Sequence, residues 1–156
     1  MTDSAQLHDS VEAVVAHFPF TVRRIAQWGD CDPAGYVYTG RFPDYLLGAV
    51  RHFLRHIGFE PGSEAGQRLG IGLPCKGFSL VFHISLRPND VVDIRINVGE
   101  IREHTFDITA AAYLADGHCA FEGVFSPICV RTAVHESTPI PSELRAALRP
   151  HLATQK

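Results

Sequence analysis

The sequence predicts an α+β domain in which an antiparallel sheet packs against one long helix. Apolar residues recur with helical period over about 42–57, and their stripe is wide enough to be covered on most sides. Four strand-like segments follow, at about 74–86, 90–101, 105–116 and 118–131. The short links between them require antiparallel neighbours, and Asp116-Gly117 is a strong hairpin signal. This order favours a sheet curled around the helix.

The flanking segments complete the expected order of elements. Residues 9–18 place apolar side chains at i, i+3, i+4 and i+7, which predicts a short amphipathic helix. Residues 20–28 alternate between apolar and polar side chains and predict a first strand, so the sheet is expected to have five strands. Residues 60–72 are rich in glycine and polar residues and predict a loop. The tail predicts a short helix with Ser142 as its N-cap.

Composition restricts the class of protein. A chain of 156 residues suits one domain, which we place at 19–150 between an N-terminal extension (1–18) and a tail (151–156). The net charge of −3 gives no electrostatic signature of nucleic-acid binding. No apolar run reaches membrane-spanning length. The four cysteines are widely spaced, as in reduced cytosolic proteins, so we expect a cytoplasmic location.

The most informative stretch is Trp-Gly-Asp-Cys-Asp-Pro-Ala-Gly at residues 28–35. Pro33 and the glycines prevent a continuous strand or helix, so the segment predicts an ordered turn that presents Asp30 and Asp32 in fixed directions. The long helix begins a few residues later. A carboxylate ahead of a helix N-terminus suits acyl transfer, because the free N–H groups receive the developing oxyanion.

Other polar residues near this turn have simpler interpretations. Asp30 by itself is expected to act as a structural turn acceptor, and Cys31 is expected to pack, because no histidine occupies a partner position. His52 and His56 are spaced i, i+4, as in some zinc sites, but the glutamate that such motifs require is absent. We therefore expect no metal and no cofactor.

The stretch from Trp28 to Val37, placed between a strand and a long helix, resembles the signature of the 4-hydroxybenzoyl-CoA thioesterase family. This resemblance implies the hotdog fold, with a five-stranded antiparallel sheet around one long helix. It also implies that Asp32 is the catalytic carboxylate, acting as nucleophile or as the base that activates water. The backbone N–H of Thr39 would polarise the thioester carbonyl. A second branch of the family uses a glutamate within the helix, and residues 42–57 contain none.

The same resemblance implies the substrate and the partners. An acyl-CoA thioester is the expected substrate, and a homodimer or homotetramer is expected, with residues of one protomer completing the active site of another. Tyr36, Tyr38 and Phe42 flank the turn and are compatible with contact to an aryl or short to medium acyl group, and equally with ordinary core packing. Arg102 matches the family's basic cluster and is expected to contact the CoA phosphates.

Two other functions remain open at this stage. Hotdog-fold hydratases and dehydratases act on enoyl or hydroxyacyl thioesters and need a histidine beside the motif. The sequence has no histidine between Phe18 and Arg51. A non-catalytic acyl-CoA-binding protein would need the same pocket, so the sequence does not distinguish it from an enzyme.

Overall fold

A computed structural model describes residues 11–154 as a large antiparallel sheet with one long helix, a small second sheet and two shorter helices. The strands are β1 (Glu12–His17), β2 (Phe20–Ile25), β3 (Ile71–Gly72), β4 (Cys75–Phe82), β5 (Val91–Ile101), β6 (Phe106–Tyr113), β7 (Cys119–Pro127), β8 (Val130–Arg131) and β9 (Glu136–Ser137). The helices are α1 (Phe42–His56), α2 (Glu64–Leu69) and α3 (Ser142–Leu148). The large sheet has the order β1-β2-β5-β6-β7-β4, and the small sheet has the order β3-β8-β9.

The long helix α1 lies against one face of the large sheet, as its apolar stripe predicts. It ends just before Gly58, whose φ of +82° is a conformation that glycine adopts readily. Strand β5 alternates buried and exposed residues, as a strand with one covered face does. Gly123 in β7 allows the close packing, since a Cβ there would lie 3.3 Å from a methyl group of Leu46.

The predicted hotdog architecture is confirmed, with six strands in the large sheet instead of five. The helix expected at residues 9–18 is wrong over the part that the structure describes, because residues 12–17 form β1 and pair with β2. Valine is a frequent strand former, and the hairpin partner outweighs a weak helical period. The large sheet therefore includes residues that we placed in the N-terminal extension; residues 1–10 lie outside the described chain.

Two other segments depart from the sequence-based expectations. Residues 64–69 form α2 instead of a loop, because Ser63 caps the helix through a 3.1 Å bond from the Gly66 N–H and Gly70 ends it at φ +65°. Helix α3 begins at Ser142, but its N-cap is Pro141. Among residues 11–154, the structure has no helix long and apolar enough to cross a membrane.

Three histidine rings meet where the β1–β2 hairpin, the end of α1 and the C-terminal segment come together. The ring centroids of His17 and His56 are 4.7 Å apart, and those of His56 and His151 are 5.6 Å apart. His151 also stacks on Phe18 at 4.9 Å. Burial, together with the neighbouring histidine, lowers the pKa of both His56 and His151. Protonation of His56 or His151 therefore opposes folding.

This cluster predicts that acid destabilises the protein before its carboxylates titrate. The unfolded histidines keep a pKa near 6.5, whereas the folded pKa values of His56 and His151 are lower. The unfolded state therefore binds more protons below that pH, and the free energy of unfolding decreases as the pH falls. We expect the melting temperature to fall by several degrees between pH 7 and pH 5, measured by calorimetry. His56→Gln should flatten this dependence, and an unchanged slope in that variant would contradict the assignment.

Candidate active site

Residues 30–38 fold back on themselves as a short hairpin between β2 and α1. The Tyr38 N–H donates to the Asp30 carbonyl at 2.8 Å, and the Asp32 N–H donates to the Tyr36 carbonyl at 3.0 Å. Gly35 closes the turn with a φ of +85°, in the left-handed region. The ordered turn predicted from the sequence is therefore confirmed, and its backbone fixes the direction of Asp32.

The Asp30 carboxylate holds this hairpin against the helix. Its Oδ2 accepts a hydrogen bond from the Gln27 N–H at 3.0 Å and another from the Tyr45 hydroxyl at 2.7 Å. Tyr45 lies in α1 and is fully buried. Burial and the bond to Asp30 raise the pKa of this phenol, so it remains a donor at neutral pH. These contacts confirm the structural interpretation of Asp30.

A chain of charged contacts continues from Tyr45 to the first strand. The Arg24 guanidinium lies 4.4 Å from the centroid of the Tyr45 ring and donates to Glu12 at 2.9 Å. Glu12 also lies 2.8 Å from His52. His52 therefore faces β1, whereas His56 stacks on His17, and the two do not converge on a metal. The sequence does not predict this series of contacts, because Tyr45 is indistinguishable there from the other residues of the apolar stripe.

The contact between Tyr45 and Asp30 is expected to stabilise the fold measurably. Tyr45→Phe removes the hydroxyl and leaves a partly buried carboxylate without one of its donors, which costs about 1–3 kcal/mol. Tyr113→Phe is a matched control, since Arg95 lies over that ring at the same 4.4 Å and the described residues give its hydroxyl no carboxylate partner. Chemical denaturation of both variants measures the difference. Equal losses would mean that the Asp30 bond contributes nothing.

Asp32 lies at the turn of the hairpin and is partly buried. Its Oδ1 accepts the Ala34 N–H at 2.8 Å, and Oδ2 has no hydrogen-bond partner within residues 11–154. One oxygen thus anchors the side chain while the other is available to a substrate.

The Cys31 thiol donates weakly to the Gln27 carbonyl at 3.5 Å. Desolvation and the charges of Asp30 and Asp32 raise the pKa of this thiol, which disfavours a thiolate nucleophile.

Thr39 begins a 3₁₀ turn, Thr39–Arg41, that leads directly into α1. The Arg41 N–H donates to the Tyr38 carbonyl at 2.8 Å, whereas the N–H groups of Thr39 and Gly40 have no acceptor in the described part of the chain. Free N–H groups are expected at such a start and can receive an anion. Thr39 does not cap α1 through its side chain; the N-cap of α1 is Arg41.

The predicted substrate contacts divide into exposed and buried residues. Tyr36 is 38% exposed and Tyr38 is 57% exposed, so both rings are accessible beside the hairpin. The Arg87 guanidinium donates to the Tyr36 hydroxyl at 3.3 Å and lies 5.3 Å from its ring centroid. Phe42 is buried and packs on Phe82 at a centroid distance of 4.8 Å. Phe42 therefore belongs to the core below the hairpin.

Arg102 lies at the other end of the sheet from Asp32. The hairpin follows β2 at the end where β5 begins, whereas Arg102 follows the end of β5, roughly 30 Å of strand away. Its guanidinium is also occupied: it binds both oxygens of Asp107 at 3.0 and 2.8 Å and Glu100 at 3.0 Å. One protomer alone therefore does not bring Arg102 and Asp32 together.

The sequence and the fold both match known thioesterases. Residues 26–148 match the model of the thioesterase-like superfamily. Over 87 residues the chain is 29% identical to the 4-hydroxybenzoyl-CoA thioesterase of Pseudomonas sp. (strain CBS-3), a match that covers 55% of this chain and less than two thirds (62%) of that enzyme.

Solved structures extend the match to the whole fold. A thioesterase-superfamily structure from Jannaschia sp. CCS1 aligns with a TM-score of 0.76 at 24% identity, over 86% of this chain and 94% of that one. A gentisyl-coenzyme A thioesterase aligns with a TM-score of 0.68 at 25% identity, over 83% of this chain and 98% of that one. The resemblance drawn from the Trp28–Val37 motif is confirmed, and the chain belongs to the thioesterase-like superfamily.

Proposed function

We propose that this protein hydrolyses an acyl-CoA thioester to the free acid and CoA, with Asp32 as its catalytic carboxylate. The main support is the position of Asp32 on a hydrogen-bonded hairpin, where Asp32 Oδ2 and the N–H groups of Thr39 and Gly40 have no hydrogen-bond partner within residues 11–154. A carboxylate and an oxyanion donor are the two groups that acyl transfer needs. Membership of the thioesterase-like superfamily supports the same activity.

Two routes are consistent with these groups. In the first, Asp32 Oδ2 attacks the thioester carbonyl, the C–S bond breaks to release the CoA thiolate, and water then hydrolyses the mixed anhydride. In the second, Asp32 removes a proton from the water that attacks the carbonyl. In both routes the carbonyl oxygen becomes an oxyanion, which the Thr39 N–H stabilises. Both routes use the same residues, so substitution of Asp32 or Thr39 should impair either one.

An aryl acyl group is the substrate class that we favour. The two exposed rings of Tyr36 and Tyr38 offer flat apolar surfaces beside Asp32. The similar enzymes named above act on 4-hydroxybenzoyl-CoA and gentisyl-CoA. The Tyr38 ring packs against Gly40, which has no side chain to obstruct it. A Cβ at position 40 would lie 2.5 Å from a carbon of this ring.

A substrate panel tests the proposal directly. Purified protein is incubated with benzoyl-, hydroxybenzoyl-, phenylacetyl-, short-chain and long-chain acyl-CoA, and CoA release is measured with a thiol reagent. We expect the highest kcat/KM for an aryl-CoA ester. If the folded protein binds these esters but releases no CoA, it is an acyl-CoA-binding protein instead. Hydration of enoyl-CoA without thiol release would support the hydratase alternative.

We further propose a homodimer formed by the edge strand β4. Phe78 and Phe82 lie opposite Phe125 and Phe121 and so share the inner face of the sheet, yet they are 50% and 44% exposed. Within residues 11–154, β4 pairs with β7 on one side only. An apolar, unpaired edge strand needs a partner. A second copy paired antiparallel along β4 would cover these rings and continue the sheet.

This dimer would also explain how Arg102 reaches the active site. Asp32 lies at the end of the sheet where β4 finishes, and Arg102 lies at the end where β4 begins. An antiparallel β4–β4 pair places the beginning of one strand beside the end of the other. Arg102 of each protomer would therefore lie at the same end of the joined sheet as Asp32 of its partner. An apolar cavity of about 420 Å³ between Leu54, Phe59 and Pro74 lies at the end of the sheet where β4 begins.

A cytoplasmic location stays a prediction.

Mixed dimers test the shared site. Arg102→Gln should raise the KM for acyl-CoA and leave the KM for the matching N-acetylcysteamine thioester unchanged, because that thioester lacks the nucleotide. Refolding Asp32→Asn and Arg102→Gln chains together should restore up to half of the wild-type acyl-CoA activity per mixed dimer, since one of its two sites then holds both native groups. Light scattering measures the dimer. No gain over the separate variants would contradict an active site shared between two protomers.

A further inference from the structure

Three side chains on the outer face of the sheet converge at a place that the proposed hydrolysis does not use. His83 lies just beyond the end of β4, and Cys119 and Glu122 lie at the start of β7. One ligand atom from each lies within 4.8 Å of the other two. The His83 Nε2 and a Glu122 carboxylate oxygen are already 2.9 Å apart.

The backbone brings these residues to one face through a β-bulge. Tyr113 pairs with Cys119 and Ala112 pairs with Phe121, so Ala120 is an extra residue in β7. The insertion shifts the alternation of the strand by one position, which places Cys119 on the same face as Glu122. The Ala120 carbonyl accepts both the His83 N–H at 2.8 Å and the Ile84 N–H at 3.0 Å. His83 is thereby held next to the bulge.

We infer that His83, Cys119 and Glu122 form a binding site for a divalent transition metal, with Zn²⁺ as the best match. Imidazole, thiolate and carboxylate are the three ligand types that proteins offer to zinc. With metal–ligand bonds of roughly 2.0–2.3 Å, tetrahedral ligand atoms lie roughly 3.3–3.8 Å apart. Small movements of the exposed His83 and Glu122 side chains and of the partly buried Cys119 side chain bring the three ligand atoms to that spacing, and a water molecule would complete the fourth position.

The cysteine sulfur, a third ligand type, distinguishes this cluster from an ordinary histidine–carboxylate ion pair. His118 and Asp116 form another exposed histidine–carboxylate pair at 3.1 Å, and within residues 11–154 no cysteine joins them in a three-ligand group. A metal ion binds the thiolate form of cysteine, so binding at this cluster must displace the proton of the Cys119 thiol. Asp32 and Thr39 are not part of the cluster, so metal binding and hydrolysis can be measured separately.

Cobalt provides a direct test, because a Co²⁺–thiolate bond produces a near-ultraviolet charge-transfer band. Chelator-treated full-length protein is titrated with CoCl₂ under anaerobic conditions and then with ZnCl₂. We expect one Co²⁺ per chain with this band, displacement of Co²⁺ by Zn²⁺, and a rise in melting temperature with Zn²⁺. Cys119→Ser should abolish the band, and His83→Gln should weaken Co²⁺ binding by at least about tenfold.

Cys75→Ser is the matched control, since Cys75 is an exposed thiol that lies outside the cluster of its own chain. It should leave the band and the affinity unchanged. His83 and Glu122 are both exposed, so His83→Gln and Glu122→Gln test the site in folded protein even if Cys119→Ser is unstable. The inference is overturned if the wild type gives no charge-transfer band, or if the band survives both Cys119→Ser and His83→Gln. Loss of the band in Cys75→Ser would assign it to a different thiol.

Discussion

Asp32→Asn is expected to lower kcat by several orders of magnitude while leaving KM nearly unchanged. The amide keeps its size and can still accept the Ala34 N–H at the position of Oδ1, so the hairpin is preserved. It lacks the negative charge on the second oxygen and acts neither as a nucleophile nor as a strong base. Binding of the substrate does not use this charge, so the loss appears in the chemical step. Steady-state kinetics on the best substrate of the panel measures it.

Two neighbouring carboxylates provide the controls for this variant. Asp44→Asn makes the same change at an exposed residue in the first turn of α1 and should retain nearly full activity. Asp30→Asn should reduce stability more than chemistry, because Asp30 accepts two hydrogen bonds that hold the hairpin. Retention of most activity by Asp32→Asn would refute the proposed mechanism.

The second large effect is expected at Thr39, where proline and alanine should differ sharply. Thr39→Pro removes the N–H that we assign to the oxyanion and should lower kcat by roughly 10²–10³-fold, since losing one such donor costs about 2.7–4 kcal/mol. The backbone tolerates proline there, because Tyr38 is extended at φ −65° and ψ 136°, the region preferred before proline. Thr39→Ala keeps the N–H and should keep kcat within about tenfold.

Melting temperature and light scattering on both Thr39 variants show whether the fold and the dimer persist. Equal damage from alanine and proline would assign the chemistry to the hydroxyl. Equal tolerance would place the oxyanion donor elsewhere, and Gly40 would be the next candidate because its N–H also lacks an acceptor in the described residues.

Features with a local cause could be predicted from the sequence. The helix stripe of residues 42–57 and the turn of residues 28–37 both depend on residues close together in the chain, so α1 and the hairpin appear where expected. Asp30 was interpreted as a turn acceptor because its residue type and neighbours suffice for that inference. The family resemblance then attached a chemical role to Asp32, and that role stays a prediction until it is measured.

Features that depend on distant partners could not be predicted. Residues 12–17 form a strand because β2 lies beside them, although their spacing also fits a helix. Tyr45 bonds to Asp30 only because α1 packs over the hairpin. Phe42 packs on Phe82 of β4, a contact between distant segments that no local pattern indicates.

The sequence by itself determined the order of β2, α1 and the four strands β4 to β7, the ordered turn and the residue types available for acyl transfer, because these follow from local turn chemistry and periodicity. Only the tertiary structure decided which distant side chains meet. The strand β5 separates Arg102 from Asp32 by its whole length. A one-residue bulge in β7 places Cys119 and Glu122 close to His83. Strand pairing sets these distances, and no pattern within a single segment encodes them.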